Sequence, residues 1–271
     1  MNGTPPLSRL RISLIVASVA FFLPPLALGF QMIGEDGFCG TCCPRMFFLW
    51  RAGQSWQNFL AGFLRAHWGV VLLASIFVCT LFWGRYWCSH VCPIGGVTEL
   101  ISRLIPDFWK IDFSRLPAAG FRYGYLAVYI MAPACGIGSL CCNYCNFGTV
   151  PRLIAAPFSS ADMAYFFRVT GQISLGTVLV LGFLSKGGRA YCNLLCPLGA
   201  LDALCNSLGA KLGRTRMRID HTKCSKCGFC RRACPTWAIE NVGGRFVIDQ
   251  LSCISCGTCK IVCRREGVVR E

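Results

Sequence analysis

Long stretches of this chain contain no charged residue. Four of them stand out, Ile12–Phe30, Trp68–Gly84, Tyr123–Pro151 and Val169–Ser185. Each can supply a helix of roughly 17–25 residues, the length that crosses a bilayer. The third stretch is longer than one crossing, so we expect its helix to end near Gly136. The pattern predicts a mainly α-helical membrane domain with four transmembrane helices.

Cysteine motifs show that this region is an internal duplication. Cys88-x3-Cys92-Pro93 returns 104 positions later as Cys192-x3-Cys196-Pro197, and Cys39-x2-Cys42 returns 103 positions later as Cys142-x2-Cys145. Each copy therefore reads as a span, a CxxC pair, a second span and a CxxxCP pair. Two spans bring the chain back to its starting side, so the copies are parallel and like pairs share a face. We expect two tandem repeated hairpins, at about residues 11–105 and 121–209.

The duplication predicts one four-thiol site at each face. The inner site takes Cys88, Cys92, Cys192 and Cys196, and the outer site takes Cys39, Cys42, Cys142 and Cys145. Four thiolates suit an iron–sulfur cluster or zinc. Two alternatives stay open. The CxxxCP thiols are free in an interfacial turn, or the outer CxxC pairs form disulfides in an oxidising compartment, where Cys43 and Cys141 make the pairing ambiguous.

Proline after each CxxxC predicts a new helix, over Ile94–Leu104 and Leu198–Leu208. The first N–H groups of such a helix point at an anionic group bound beside its start. Arg85 and Arg189, at equivalent positions of the two copies, add positive charge nearby.

The charge distribution indicates a membrane protein with both termini in the cytoplasm. The chain is 54% hydrophobic and only 14% charged, which excludes a disordered chain and argues against an ordinary soluble enzyme. Residues 186–271 hold 15 Lys and Arg against 6 Asp and Glu, a net charge of +9. Retention beside anionic lipid and an acidic protein partner explain this charge more simply than nucleic acid does. We therefore expect no nucleic-acid partner.

The C-terminal segment carries the most specific motif. Two runs of four cysteines, Cys224–Cys234 and Cys253–Cys263, have the CxxCxxCxxxC spacing of bacterial two-cluster ferredoxins, with Arg264 where proline is usual in the second run. In that pattern the fourth cysteine of each run binds the other cluster. Cluster one would use Cys224, Cys227, Cys230 and Cys263, and cluster two Cys253, Cys256, Cys259 and Cys234. We predict a membrane domain over 1–210 and a small α+β ferredoxin domain with two [4Fe-4S] clusters over 211–271, containing a hairpin of 238–242 and 245–248. Zinc is the alternative metal.

Together the CxxxCP pairs, the four spans and the tandem ferredoxin runs resemble the membrane polyferredoxins of the NapH, MauN and NosR type. The resemblance implies the membrane subunit of a quinol dehydrogenase in the bacterial inner membrane. It would pass electrons between the quinone pool, cytoplasmic-side clusters and a periplasmic or membrane redox protein. A cytoplasmic ferredoxin or another acidic electron-transfer protein is a further expected partner. The alternative is an assembly factor that reduces a metal or disulfide in a client enzyme.

A few other residues are candidates for chemistry. His67, Glu35 or Asp36 would suit proton acceptance at an outer quinol site lined by Phe47, Phe48, Trp50 and Trp56, although we favour an ordinary interfacial aromatic belt. His90 lies inside the first CxxxC and is interpreted as an interfacial residue. Cys79, Cys135 and Cys205 fit no spacing, and we expect them to be buried small apolar residues.

Overall fold

The computed structural model describes residues 7–22, 50, 52–65, 67–137, 146–158 and 160–270, and the structural statements below concern these. They form a helical body followed by a small ferredoxin-like domain. The helices of the body are α1 (Arg9–Phe22), α2 (Trp56–Arg65), α3 (His67–Trp83), α4 (Pro93–Leu104), α5 (Ala118–Ala134), α6 (Asn146–Ala155), α7 (Ser160–Phe166), α8 (Val169–Thr177), α9 (Ala190–Leu194) and α10 (Pro197–Lys211). Two π-helical turns, Trp87–Val91 and Val178–Phe183, and a 3-10 turn, Asp107–Trp109, join them.

Proline sets the start of the last helix in each repeat. Pro93 opens α4 and Pro197 opens α10, each directly after a cysteine in extended conformation. Proline has the φ of a helix and needs no hydrogen-bond acceptor for its nitrogen at this position. The helices predicted after the two CxxxCP motifs are confirmed, and the second continues to Lys211.

The two repeats pack against each other through one helix of each repeat. Helix α10 of the second repeat packs on α3 of the first, and α4 of the first packs on the π-helical turn 178–183 of the second. Within its own repeat, α1 packs on α4 and α5 packs on α10. The arrangement has approximate two-fold symmetry, which brings the turns of both CxxxCP motifs together at one end of the body.

The prediction of four transmembrane helices is wrong. Taken one at a time, the helices of the described residues lack the length or the apolar composition that a bilayer crossing needs. Two helix pairs have that length and composition only together, Trp56–Leu64 with Gly69–Trp83 and Ser160–Phe166 with Val169–Phe183, and they bend by 75° and 81°. The charge-free stretches gave the extent of apolar sequence but not the points at which a helix ends. The expected end of the third helix near Gly136 is confirmed, since α5 ends at Ala134 and Gly136 has φ 77°.

The ferredoxin-like domain contains two small antiparallel sheets and two short helices. Strand β1 (Met217–Ile219) pairs with β4 (Val268–Arg270), and β2 (Ile239–Val242) pairs with β3 (Arg245–Ile248). The helices are α11 (Phe229–Ala233) and α12 (Thr258–Ile261). The predicted hairpin is confirmed. Its turn residues, Gly243 and Gly244, both have positive φ, as a tight two-residue hairpin turn requires.

Three cysteines outside the motifs do not behave as expected. Cys79 and Cys135 are exposed and Cys205 is half-buried, so the expectation that all three are buried was wrong. Cys79 and Cys205 lie in α3 and α10, whose side chains do not all point into the body. An apolar sequence alone does not tell which face of a helix is covered.

Candidate iron–sulfur centres

The thiols of the ferredoxin-like domain line two separate cavities. One cavity is bordered by Cys234, Cys253, Cys256 and Cys259, together with Met217, Ile239 and Ile248. The other is bordered by Cys224, Cys227, Cys230 and Cys263, together with Ile219, Phe246 and Val268. Cys234 thus leaves its own run for the cavity of the second run, and Cys263 does the reverse. We call these the second-run cavity and the first-run cavity.

The backbone of each run bends around its cavity in the same way. Lys226 and Gly228 in the first run, and Ser255 and Gly257 in the second, all have left-handed backbone conformations. Alternation of left- and right-handed residues turns successive N–H groups toward one point and creates a concave anion site. The Ser255 N–H already donates to Cys253 Sγ at 3.4 Å. This geometry fits an anionic cluster held by thiolates.

Burial acts on the thiols of the second-run cavity. It raises the pKa of Cys234 to about 11 and that of Cys253 to about 12. These thiols are therefore protonated at neutral pH, and binding a metal cluster would displace their protons. Among the described residues, no group of three or more His, Cys, Asp or Glu converges on a position for a single metal ion. The four thiols of each ferredoxin cavity lie along its lining instead.

The CxxxCP thiols come from both repeats. Cys88 lies in the π-helical turn 87–91, Cys192 lies in α9, and Cys92 and Cys196 directly precede α4 and α10. Burial raises the pKa of Cys192, Arg189 opposes this, and the nearby Cys196 and Cys92 add to it, so that the pKa is about 11. Burial likewise raises the pKa of Cys88, and the nearby Asp202, Cys92 and Cys196 also raise it. The turns of the two motifs also meet, since Arg189 Nη1 donates to the carbonyl of Cys88 at 2.6 Å. We call the four thiols the CxxxCP thiol site.

Two buried ion pairs cross between the repeats beside this site. Arg85 Nε donates to Asp202 Oδ2 at 2.9 Å, and Arg189 Nε donates to Glu99 Oε2 at 2.8 Å. All four side chains are at most 2% exposed. Asp202 also lies 3.3 Å from Cys88 Sγ. Each arginine comes from one copy and its carboxylate from the other, so the pairs fasten the two copies together around the thiols.

Glycine in each motif makes room for these arginines. Gly95 and Gly199 occupy equivalent positions, two residues after the proline of their motifs. A Cβ on Gly95 would collide with the guanidinium of Arg189, and one on Gly199 would lie 3.3 Å from Arg85 Nη2. The Pro-x-Gly ending of the two motifs thus has a packing reason.

A second pair of buried arginines joins the body to the ferredoxin-like domain. Arg11 Nε donates to the carbonyl of Ser89 at 3.1 Å, and Arg122 Nε donates to the carbonyl of Asn193 at 2.8 Å. Ser89 and Asn193 are equivalent, each following the first cysteine of its CxxxCP motif. The other ends of the guanidinium groups reach the ferredoxin-like domain. Arg11 Nη1 donates to Thr258 Oγ1 at 3.3 Å, and Arg122 Nη1 donates to the carbonyl of Leu251 at 2.6 Å.

Further contacts fix the second-run cavity against the body. Asn193 Nδ2 donates to the carbonyl of Thr236 at 3.0 Å, and Asn206 Nδ2 donates to the carbonyl of Gln250 at 2.6 Å. A Cβ on Gly84, which has φ 92°, would lie 2.5 Å from Ser255 Oγ. The loops that hold Cys234, Cys253 and Cys256 therefore rest on the turns that hold the CxxxCP thiols.

The remaining candidates lie apart from these centres or outside the description. The outer pairs Cys39, Cys42, Cys142 and Cys145, and also Glu35, Asp36, Phe47 and Phe48, lie outside the described residues. Trp50, Trp56 and Phe59 form an aromatic group with ring centroids 5.4–5.9 Å apart. His90 stacks on Tyr86 and its Nδ1 lies 2.6 Å from Ser89 Oγ.

Sequence reasoning missed Arg11, Arg122, Glu99 and Asp202. A signal for the carboxylates was present. Glu99 is the only acidic residue between Trp68 and Ile105, and Asp202 is the only one between Lys186 and Ile219. An isolated charge in an apolar stretch costs folding free energy when it is buried, unless an opposite charge inside the fold pairs with it.

Known families match both parts of the chain. A family described as "4Fe-4S binding domain" matches twice, at residues 65–112 and 167–215, once in each repeat. A family described as "4Fe-4S dicluster domain" matches residues 216–264. No solved structure gives a significant match.

Several curated proteins are similar to this chain. The methylamine utilization ferredoxin-type protein MauN of Methylobacillus flagellatus is 30% identical over 62% of this chain and 53% of its own length. The ferredoxin-type protein NapH of Escherichia coli K12 is 27% identical over 66% of this chain and 58% of its own. The putative electron transport protein YccM of Escherichia coli K12 is 29% identical over 62% of this chain and 46% of its own. The chain spans about half the length of these relatives.

Proposed function

Since this chain belongs to the NapH/MauN type of iron–sulfur ferredoxin-type proteins, we propose that it is the membrane-located electron-transfer subunit of a quinol dehydrogenase. Its 4Fe-4S binding domains make it an electron-transfer protein in the general sense. The quinone pool as electron source and a periplasmic or membrane redox protein as partner are the specific parts of the proposal.

One observation carries the proposal, the direct contact between the second-run cavity and the CxxxCP thiol site. Arg85 spans the two, because Nη2 lies 3.9 Å from Cys88 Sγ while Nη1 donates to the carbonyl of Leu251 at 3.3 Å. A tethered ferredoxin with no function in the body would have no need for such a contact. Iron–sulfur clusters, when bound, supply one-electron carriers.

The residues have distinct tasks in this proposal. The eight cysteines of the two runs hold two [4Fe-4S] clusters, and the CxxxCP thiols hold a third. Arg85 and Arg189 add positive charge beside the CxxxCP thiols, and Asp202 and Glu99 hold these guanidinium groups in place. Arg11 and Arg122 keep the second-run cavity at a fixed position on the body.

The inner membrane is the proposed location, with the ferredoxin-like domain on the cytoplasmic side. Large apolar side chains point outward from α3 and α5, where Val71, Val78, Trp83, Val128 and Met131 are each more than half exposed. Charged side chains lie inside the same body. Contiguous exposed apolar faces favour contact with lipid or protein, and the basic C-terminal segment favours the cytoplasmic side.

Iron analysis tests the third centre. The whole protein, purified without oxygen, should contain about 12 iron atoms per chain, and the Cys92→Ser, Cys196→Ser variant about 8. Cys79→Ser, which changes a cysteine outside the motifs, is the matched control and should keep the wild-type content. About 8 iron atoms in the wild type would reduce the protein to a tethered ferredoxin.

Anaerobic mixing with menaquinol tests the quinol function. Cluster absorbance should bleach in the wild type and bleach less in the Cys92→Ser, Cys196→Ser variant. If quinol left the absorbance unchanged while the protein reduced a disulfide client, the alternative of a redox assembly factor would replace the proposal.

A further inference from the structure

The ferredoxin-like domain has two thiol cavities, and the second-run cavity faces the body. Hydrogen bonds from Arg11, Arg122, Asn193 and Asn206 reach Thr258, Leu251, Thr236 and Gln250, which flank the cysteines of the second-run cavity. At the first run, by contrast, Cys227 and Phe229 are exposed. The first-run cavity therefore lies on the outward side of the domain.

The sequence itself selects this orientation. The runs align at a spacing of 29, so Ser252, Ser255 and Thr258 of the second run correspond to Lys223, Lys226 and Phe229 of the first. Thr258 accepts a hydrogen bond from Arg11, and Ser252 Oγ lies 3.4 Å from Arg122 Nη2. Phenylalanine cannot accept such a bond, and lysine would repel the guanidinium. The first run is thus unsuited to the arginine-rich surface of the body.

Exposed cations flank the cysteines of the first-run cavity in sequence. The stretch from Lys223 to Arg232 contains four lysines and arginines and no acidic residue. We call the exposed set the first-run basic face, and its members are Lys223, Lys226, Arg231, Arg232, Arg245, Arg264 and Arg265. None of them forms a salt bridge within the part of the chain that the structure describes. A shallow surface depression lined by Cys224, Lys226 and Arg245 opens on this face.

We propose that the first-run basic face is the docking surface for an acidic electron-transfer protein of the cytoplasm. The inference rests on the proposed function, since it names the partner of the outward thiol site. Complementary charge steers such a partner and orients its redox group toward Cys227, the exposed cysteine of the cavity. Anionic lipid is a poorer match, because the apolar side chains proposed to contact lipid lie on α3 and α5 of the body, whereas this face points away from the body.

Binding measurements with matched charge reversals test the proposal. The probe is a small acidic ferredoxin, and the complete oxidised protein is titrated at about 50 and 200 mM salt. Lys226→Glu with Arg232→Glu should raise the dissociation constant at least about 10-fold at the lower salt and make it less dependent on salt. Lys211→Glu with Arg214→Glu makes the same charge change near the end of α10 and should stay within about 2-fold.

The outcomes separate this inference from the proposed function. Binding of the oxidised protein does not depend on quinol, so loss of quinol bleaching with intact binding would reject only the function. Equal weakening by both double variants, or by neither, would overturn the docking surface. The docking surface would also be overturned if the reversal at Lys226 and Arg232 abolished binding to anionic vesicles or duplex DNA but left binding to the ferredoxin unchanged. If the reversed variant lost iron, the Lys226→Gln, Arg232→Gln variant should still weaken binding about 3-fold.

Discussion

Replacing Asp202 with asparagine tests whether the buried ion pairs hold the two repeats together. Asp202 is fully buried and accepts hydrogen bonds from Arg85 Nε at 2.9 Å and from Thr80 Oγ1 at 2.5 Å. Asparagine keeps the shape of the side chain but removes its charge, so the buried Arg85 guanidinium loses its counter-ion. Removing one partner of a buried pair costs about 3–5 kcal/mol.

Asp112 supplies the matched control. Its Oδ2 lies 3.0 Å from Lys186 Nζ, but both side chains are about half exposed, so solvent screens the pair. Asp112→Asn should cost at most about 1 kcal/mol. For a chain of this size 1 kcal/mol corresponds to about 2–4 °C, so the melting midpoint should fall by roughly 6–20 °C for Asp202→Asn and by at most about 4 °C for Asp112→Asn.

Far-UV circular dichroism during heating measures both midpoints under one set of conditions. A midpoint for Asp202→Asn equal to that of Asp112→Asn would refute the reasoning, because it would mean that Arg85 needs no buried counter-ion. A normal midpoint together with normal iron content would show that the crossed pairs contribute neither to folding nor to the thiol site.

Three further variants probe the contacts around the centres. Arg122→Gln removes charge-assisted bonds to the ferredoxin-like domain, so limited proteolysis of the linker after α10 should speed up at least about 10-fold, whereas Arg115→Gln, at an exposed arginine, should not change it. Burial opposes the charge of Glu99, but three arginines lower its pKa below the ordinary value. Its contribution to stability is therefore present above the unfolded-state pKa and lost as pH falls through the folded-state value, and Glu99→Gln should flatten the decline of the melting midpoint below about pH 4.5. Cys234→Ser should remove the paramagnetic signal of the second-run centre rather than the first, with Cys205→Ser as the unchanged control. Loss of the first-run signal instead would contradict the crossed arrangement.

The parts of the structure that could be predicted depend on the spacing of neighbouring residues in the sequence. The hairpin around Gly243 and Gly244 and the helix starts at Pro93 and Pro197 depend on neighbouring residues, and they form where expected. The structure also gathers the eight ferredoxin cysteines in the two crossed groups that their spacing suggests, although cluster binding by them stays a prediction. Short, rigid loops leave few other arrangements for closely spaced cysteines.

The interactions between the repeats could not be predicted from local spacing. At the offset of 104 that aligns the CxxxCP motifs, Glu99 corresponds to Ala203 and Asp202 corresponds to Thr98. The two carboxylates perform equivalent tasks from unequal positions, so comparing the repeats hides them. Helix lengths failed for a different reason, since a lack of charge permits a helix in lipid but does not determine where it stops.

The charge balance inside the body gives a final argument about the CxxxCP thiols. Four arginines close to them, Arg11, Arg85, Arg122 and Arg189, are at most 1% exposed, and the buried carboxylates beside them are Glu99 and Asp202. Neutral thiols would leave an excess of two positive charges in a buried region, where uncompensated charge is costly. A [4Fe-4S] core held by four thiolates carries a net charge of about −2, which would offset that excess.

Cys92→Ser with Cys196→Ser therefore should destabilise the body although serine and cysteine differ little in size. We expect a loss of at least about 3 kcal/mol, since the excess cations lose their counter-charge. Tryptophan fluorescence during denaturation follows the body, and Cys205→Ser provides a control for the cost of a hydroxyl in α10. If the double variant were as stable as that control, the buried arginines would not depend on an anionic centre, and the interpretation of the CxxxCP residues as free thiols in a turn would be preferred.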